Sequence, residues 1–141
     1  MVAPARKGAM MLHMTYQDEL QARSNVMALA IHDCLLAHRA CIECSIHCIA
    51  RGGRHAARDH QTLLNDCAEI CQTAANFMTR GSPRHADVCG VCAEACEACS
   101  DECGRMGPDD THMMRCAELC RICATTCRDV AEHVRGEPPA F

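Results

Sequence analysis

The sequence predicts an all-α fold, an antiparallel up-down four-helix bundle with a cysteine-lined core. Three observations predict it. Helix breakers recur along the chain, at Gly52-Gly53, Gly81-Ser82-Pro83, Gly104 to Pro108, and Gly136 with Pro138-Pro139, and the stretches between them contain no proline. Within each stretch the cysteines step by three or four residues, apart from the step from Cys34 to Cys41. The usual core formers are scarce: Ile, Leu, Val and Phe make up under a sixth of the residues and Trp is absent, whereas there are 15 cysteines in 141 residues. Buried cysteine behaves as a small hydrophobe, so it can fill the place of the missing apolar side chains.

The first helix is expected from about residue 16 toward 51, opened by Thr15 and Asp18 in the pattern of a capping box. A break near Ser24 would leave a short extra N-terminal helix. This helix carries Cys34, Cys41, Cys44 and Cys48. The second carries Cys67 and Cys71, and Gly81 after Arg80 suits its C-terminus. Ser82 followed by Pro83 reads as the N-cap and first residue of the third, which carries Cys89, Cys92, Cys96, Cys99 and Cys103. Asp109 or Asp110, after Pro108, can cap the fourth, which carries Cys116, Cys120, Cys123 and Cys127. Short connections favour antiparallel neighbours. The expected organisation is a tail over residues 1–14, one bundle domain over 15–135 and a second tail over 136–141.

At 100° per residue the cysteines of the third helix fall within an arc of roughly 80° and those of the fourth within roughly 60°. A stripe that narrow is the inward seam of a bundle. The pattern Cys-Ala-Glu-x-Cys recurs at 67–71, 92–96 and 116–120. Glu69, Glu94 and Glu118 sit two residues past a cysteine, which turns them toward solvent rather than toward a catalytic task.

Thiols in register on four helices imply more than packing, because Leu, Ala and Val pack as well without the oxidation risk. Disulfides need Cβ geometry that rigid helical rows do not offer, and an odd count forbids complete pairing. Structural zinc takes four ligands, mostly from knuckles and loops. The bacterial ferredoxin run C-x2-C-x2-C-x3-C-P is absent. Soft thiolates select soft Cu(I), and cysteines at i and i+3 or i+4 are neighbours on a helix face. The cysteine rows are therefore expected to hold many Cu(I) ions on a scaffold that is helical before metal arrives.

The two ends of the bundle differ. Where the connections at 52–54 and 104–109 meet, His60 lies seven residues before Cys67 and His112 four before Cys116, with Met106 and Met113 close by in sequence. These are candidate imidazole and thioether ligands at a mouth. At the other end Met27, Ile31, Ala74, Met78, Val130 and Val134 form an expected plug. His38 lies at the edge of a stripe. His13, His47, His55, His85 and His133 are expected to be exposed, and Met10, Met11 and Met14 belong to the tail.

The rows Cys41-x2-Cys44-x3-Cys48, Cys92-x3-Cys96-x2-Cys99-x3-Cys103 and Cys116-x3-Cys120-x2-Cys123-x3-Cys127 resemble those of the four-helix-bundle copper storage proteins. The resemblance spans roughly residues 24–135. It implies Cu(I) storage and detoxification in a tube of thiolates, within a homotetramer of bundles. The second helix, with two cysteines, departs from the denser rows.

No stretch approaches the roughly 20 apolar residues of a membrane span. No run of signal-peptide length follows Met1. The chain is expected in the cytoplasm, where thiols stay reduced. A net charge of -4 gives no reason to expect nucleic acid or a membrane as partner. The expected partners are copper ions, a copper chaperone and further copies of the chain. No catalytic motif is present, so the protein is expected not to be an enzyme. The rival readings are an iron–sulfur electron-transfer protein and a metal-free thiol redox buffer.

Overall fold

A computed structural model describes residues 15–133. They form α1 (Tyr16–Arg51), a 3-10 turn (Gly53–Ala56), α2 (Arg58–Thr79), α3 (His85–Met106) and α4 (Thr111–His133). The expected tails at 1–14 and 136–141, with Met10, Met11, Met14, His13, Val134 and the side chain of His133, lie outside the described residues.

Local chemistry sets most of the boundaries. Thr15 and Asp18 form the expected capping box: the Thr15 hydroxyl accepts from the Asp18 N–H at 3.1 Å, and the Asp18 carboxylate accepts from the Thr15 N–H at 3.2 Å. The helix then runs unbroken past Ser24, so no separate short helix precedes it. Serine is only a modestly poor helix former, and the Gln21 amide donates to Asn25 at 3.0 Å across that turn. The helix stops at Gly52, whose φ of 79° suits glycine.

At the end of α2 the Gly81 N–H bonds the Met78 carbonyl and the Ser82 N–H the Phe77 carbonyl, a Schellman closure with Gly81 at φ 67°. The start of α3 departs from expectation. Ser82 and Pro83 lie in the connecting turn, and regular α-helix begins only at His85. Ser82 is already committed to closing α2. Its hydroxyl accepts from the Arg84 N–H at 3.1 Å within the turn, and its carbonyl faces the His85 N–H at 3.2 Å. Asp110 is the cap of α4: its carboxylate accepts from the N–H groups of His112 at 3.0 Å and Met113 at 3.1 Å.

Each helix packs against two others, in the cycle α1–α2–α3–α4–α1, and among the described residues the backbones stay apart across both diagonals, where only side chains such as Cys41 and Cys99 or Cys67 and Cys120 meet. The centre is therefore a channel walled by four helices. Its filling is cysteine, with alanines such as Ala37, Ala75, Ala93 and Ala124 buried beside the seam. Glu69, Glu94 and Glu118 are exposed, as the repeat predicts. At one end Met27, Ala74, Met78 and Val130 are at most 1 % exposed, which makes the plug, with Ile31 partly buried against it. Among the described residues no helix is long and apolar enough to cross a membrane.

Candidate metal centre

All 15 cysteines are free and buried, none more than 1 % exposed. The helical stripes place their sulfurs in a ladder along the channel axis. Nearest the plug, Cys34 lies 3.3 Å from Cys127 and 3.6 Å from Cys123. Cys71 follows, 3.4 Å from Cys96 and 3.7 Å from Cys92. Cys67 bridges the middle, 3.6 Å from Cys96 and 3.8 Å from Cys120. Cys41 then meets Cys120 at 3.5 Å, Cys116 at 3.8 Å and Cys99 at 3.9 Å. Cys44 lies 4.0 Å from Cys48 and groups with Cys103 and Cys116.

Those separations suit a soft monovalent ion. Metal–thiolate bonds of about 2.3 Å place the three sulfurs of a trigonal site about 4 Å apart. Four sets of sulfurs already lie within 4.8 Å of one another: Cys34/92/123/127, Cys71/92/96/123, Cys41/99/116/120 and Cys44/103/116. The first two sets share Cys92 and Cys123 and the last two share Cys116, so a thiolate there can bridge to an ion in the neighbouring set, and Cys67 spans the junction between the two pairs. Cys48, Cys67 and Cys89 fall in none of the four sets.

The surrounding sulfurs and burial together set the acidity of the thiols. Hydrogen bonding with Cys116 and Cys120, with burial adding to it, pushes Cys41 far above the ordinary thiol value. Cys120 and Cys123 do the same to Cys96. Cys120 is pushed up to about 11, first by Cys116. Cys67, Cys116 and Cys123 are pulled the other way, Cys67 by Cys120 and Cys41, Cys116 by Cys103 and Cys120, and Cys123 by Cys127. Burial and neighbouring thiols thus oppose ionisation at most of these sulfurs, while Cys67, Cys116 and Cys123, whose thiolates would accept hydrogen bonds from several neighbours, ionise more readily.

The mouth candidates separate. His60 is 2 % exposed, with Nε2 3.4 Å from the Cys48 sulfur and Nδ1 3.5 Å from the Glu102 carboxylate. Met113 is fully buried and Met106 packs against the core from a partly buried position. His112 is exposed. Both His112 and Met113 flank the cysteine stripe of α4, and the apolar side chain takes the inner place, under Gly107. A Cβ at Gly107 would come within 2.9 Å of the Met113 Cβ.

His112 instead stacks on His47, ring centroids 4.2 Å apart. The two line a groove of about 420 Å³ between α1 and α4 that reaches Cys44 and Cys116. The spacing of the sequence gives no hint of His47, which is half-buried rather than exposed. Its Nε2 lies 2.7 Å from Asp110 Oδ2, the same oxygen that accepts from Arg51 at 2.7 Å. His47, Asp110 and His112 together could hold a cation at the rim. Burial works against the Asp110 charge, but its bonds with His47, the Met113 N–H and Arg51 outweigh it and hold the carboxyl well below the usual range. That stabilisation is present above the ordinary carboxylate value of 3.8 and is lost as pH falls below it. Asp110→Ala is expected to cost about 1–2 kcal/mol at neutral pH through the lost cap. Urea unfolding at pH 7 and pH 3 measures it, and an equal difference at both would refute the charged-cap account.

His38 turns away from the channel, its Nδ1 2.7 Å from the Ala68 carbonyl. His55 is partly buried. His85, expected to be exposed, is 1 % exposed at the plugged end. Its place four residues before Cys89, on the stripe, is the signal that would have found it.

Comparison with known proteins agrees with this geometry. The family model described as copper storage protein matches residues 23–132. The Nitrosospira multiformis protein Nmul_A1745 is 42% identical, with a TM-score of 0.71 over 76% of this chain and 95% of its own. The cytosolic copper storage protein of Streptomyces lividans, solved with five coppers, is 29% identical, with a TM-score of 0.74 over 79% of this chain and 96% of its own. The uncharacterized cysteine-rich protein YhjQ of Bacillus subtilis is 36% identical over 101 residues, 72% of this chain and 92% of its own. With a buried thiol ladder on four helices and a family match across nearly the whole described bundle, this chain belongs to the copper storage protein family.

Proposed function

We propose that this protein stores many Cu(I) ions on the thiolates of its 15 cysteines, in the cytoplasm, and thereby keeps free copper low. The observation that carries the reading is the continuity of the sulfur ladder, in which shared sulfurs join the sets two by two and Cys67 links the two pairs through Cys96 and Cys120. Supporting it, the copper storage protein of Streptomyces lividans has been solved with five coppers and loaded with 10 copper equivalents. The Streptomyces relative is described as cytosolic.

Cys34, Cys41, Cys44, Cys48, Cys67, Cys71, Cys89, Cys92, Cys96, Cys99, Cys103, Cys116, Cys120, Cys123 and Cys127 are the proposed ligands within the tube. His60 beside Cys48, with Met113, Met106 and His112, would receive ions at the mouth, where a copper chaperone would deliver or collect them. The role is binding rather than catalysis. The bundle domain is taken as 15–135.

Assembly into a homotetramer has its own support on the surface. Leu35, Ile42, Ile46 and Ile49 are each more than 40 % exposed. They fall within an arc of roughly 60° on α1. An apolar stripe of that kind suits a helix-to-helix contact with another copy.

Protein purified under strictly reducing conditions from copper-supplemented cells and weighed by native mass spectrometry tests both points. A tetramer carrying many copper ions per chain is expected. Iron with sulfide would favour the electron-transfer reading, and a metal-free protein with reversibly oxidising thiols the redox-buffer reading.

A further inference from the structure

The plugged end of the tube contains one group that the thiol ladder does not use. His85 lies four residues before Cys89 on α3, which places it near the middle of that helix's cysteine arc. Its side chain is 1 % exposed. Its Nδ1 is 2.8 Å from the Ser82 carbonyl oxygen, and a carbonyl can only accept, so Nδ1 carries the proton and Nε2 the lone pair. Nε2 is buried and has no hydrogen-bond partner among the described residues. A bond from Nδ1–H to a backbone carbonyl is the arrangement that fixes the tautomer and ring of a metal-ligating histidine.

The neighbourhood points the same way. Cys89, one turn further along the same stripe, is buried and belongs to none of the close sulfur sets. The plug itself is Met27, Met78, Val130 and Ala74, side chains that offer no hydrogen-bond donor to an imidazole nitrogen. Two of them are thioethers, which are themselves soft ligands. At the opposite end a second buried histidine, His60, stands against the terminal Cys48. The ladder thus has a histidine at each end.

We propose that His85 Nε2 is a Cu(I) ligand which, with Cys89, closes the metal array at the plugged end. The proposal rests on the storage reading above. The charge balances there: the Cys89 S–H bond breaks, the proton leaves to solvent, and Cu–S and Cu–N bonds form. One thiolate, one neutral imidazole and one Cu(I) give a neutral site, with no change of oxidation state. An anionic pair of thiolates at the same place would bury a charge among apolar side chains.

The test uses the full chain, reduced and uniformly labelled on histidine nitrogen, titrated with Cu(I). The His85 Nε2 resonance is expected to shift on loading while Nδ1 stays protonated. In parallel, His85→Leu is expected to hold about one Cu(I) fewer per chain, and His85→Met, which restores a soft neutral donor, to recover it. An Nε2 resonance that keeps its metal-free position at saturation overturns the proposal, even if His85→Leu fails to fold. So does a helical His85→Leu with undiminished capacity. Wild-type protein that binds no copper overturns the storage reading itself, a different result from full loading with His85 untouched.

Discussion

Cu(I) titrated into the reduced, metal-free protein against a competing chelator is expected to saturate at about 15 to 20 ions per chain, because charge neutrality of the buried tube sets the limit. An isolated two-thiolate site carries one net negative charge. Filling the channel with such sites would stop at about seven ions and bury roughly seven charges, each costing several kcal/mol even after relaxation. Bridging removes that cost, since one ion per thiolate leaves the interior neutral. The geometry permits bridging, because Cys92, Cys116 and Cys123 each belong to two adjacent sets of sulfurs. The neutral ligands at the mouth, where water screens excess charge, account for the ions above 15. Saturation near seven would refute the shared-thiolate picture and leave copper binding in place.

The metal-free protein is expected to unfold in mild alkali, whereas the loaded protein is not. Cys34, Cys41, Cys71, Cys96, Cys99, Cys120 and Cys127 all have their pKa raised from the ordinary value of 9.0 in the folded chain, by hydrogen bonding with neighbouring thiols and by burial. A raised folded value means that the native state holds protons the unfolded chain gives up. The stabilisation is therefore complete below pH 9.0 and is lost as pH rises above it. Each such thiol removes about 1.4 kcal/mol per pH unit. With several acting together, a total stability of about 5–15 kcal/mol is used up within about two pH units. In the loaded protein the sulfurs are already thiolates paired with Cu(I), so this source of alkaline instability is gone. Far-ultraviolet dichroism of both forms in denaturant series at pH 7, 9, 10 and 11 makes the comparison. The metal-free protein should be strongly helical at pH 7, because its caps and packing need no ion. Metal-free stability that stays level to pH 11 would refute the account.

The fold class, the channel and its cysteine lining were legible in the sequence for a local reason. A residue's angular position on a helix follows from its number, and cysteines spaced by three and four share a face whatever the neighbours do. The same local reasoning placed His60, seven residues before Cys67, on its stripe and read Thr15 and Gly81 as caps, but for the fourth helix it left Asp109 and Asp110 open. The tertiary structure decided matters at the helix ends, where angle alone does not determine burial. His112 and Met113 flank one stripe almost equally, and it is the approach of Gly107 that takes Met113 inside and leaves His112 stacked on His47. Asp110 could be read as a cap, but its ion pair with Arg51 and its contact with His47 join residues 59 and 63 positions apart, which only the docking of α4 on α1 brings together. His85 follows a turn and reads as a surface residue until Met27, Met78 and Val130 from the other three helices are buried at the same end of the channel. Periodicity determines which face of a helix turns inward; burial of the last side chain on that face depends on how the adjoining helices and turns cover the end.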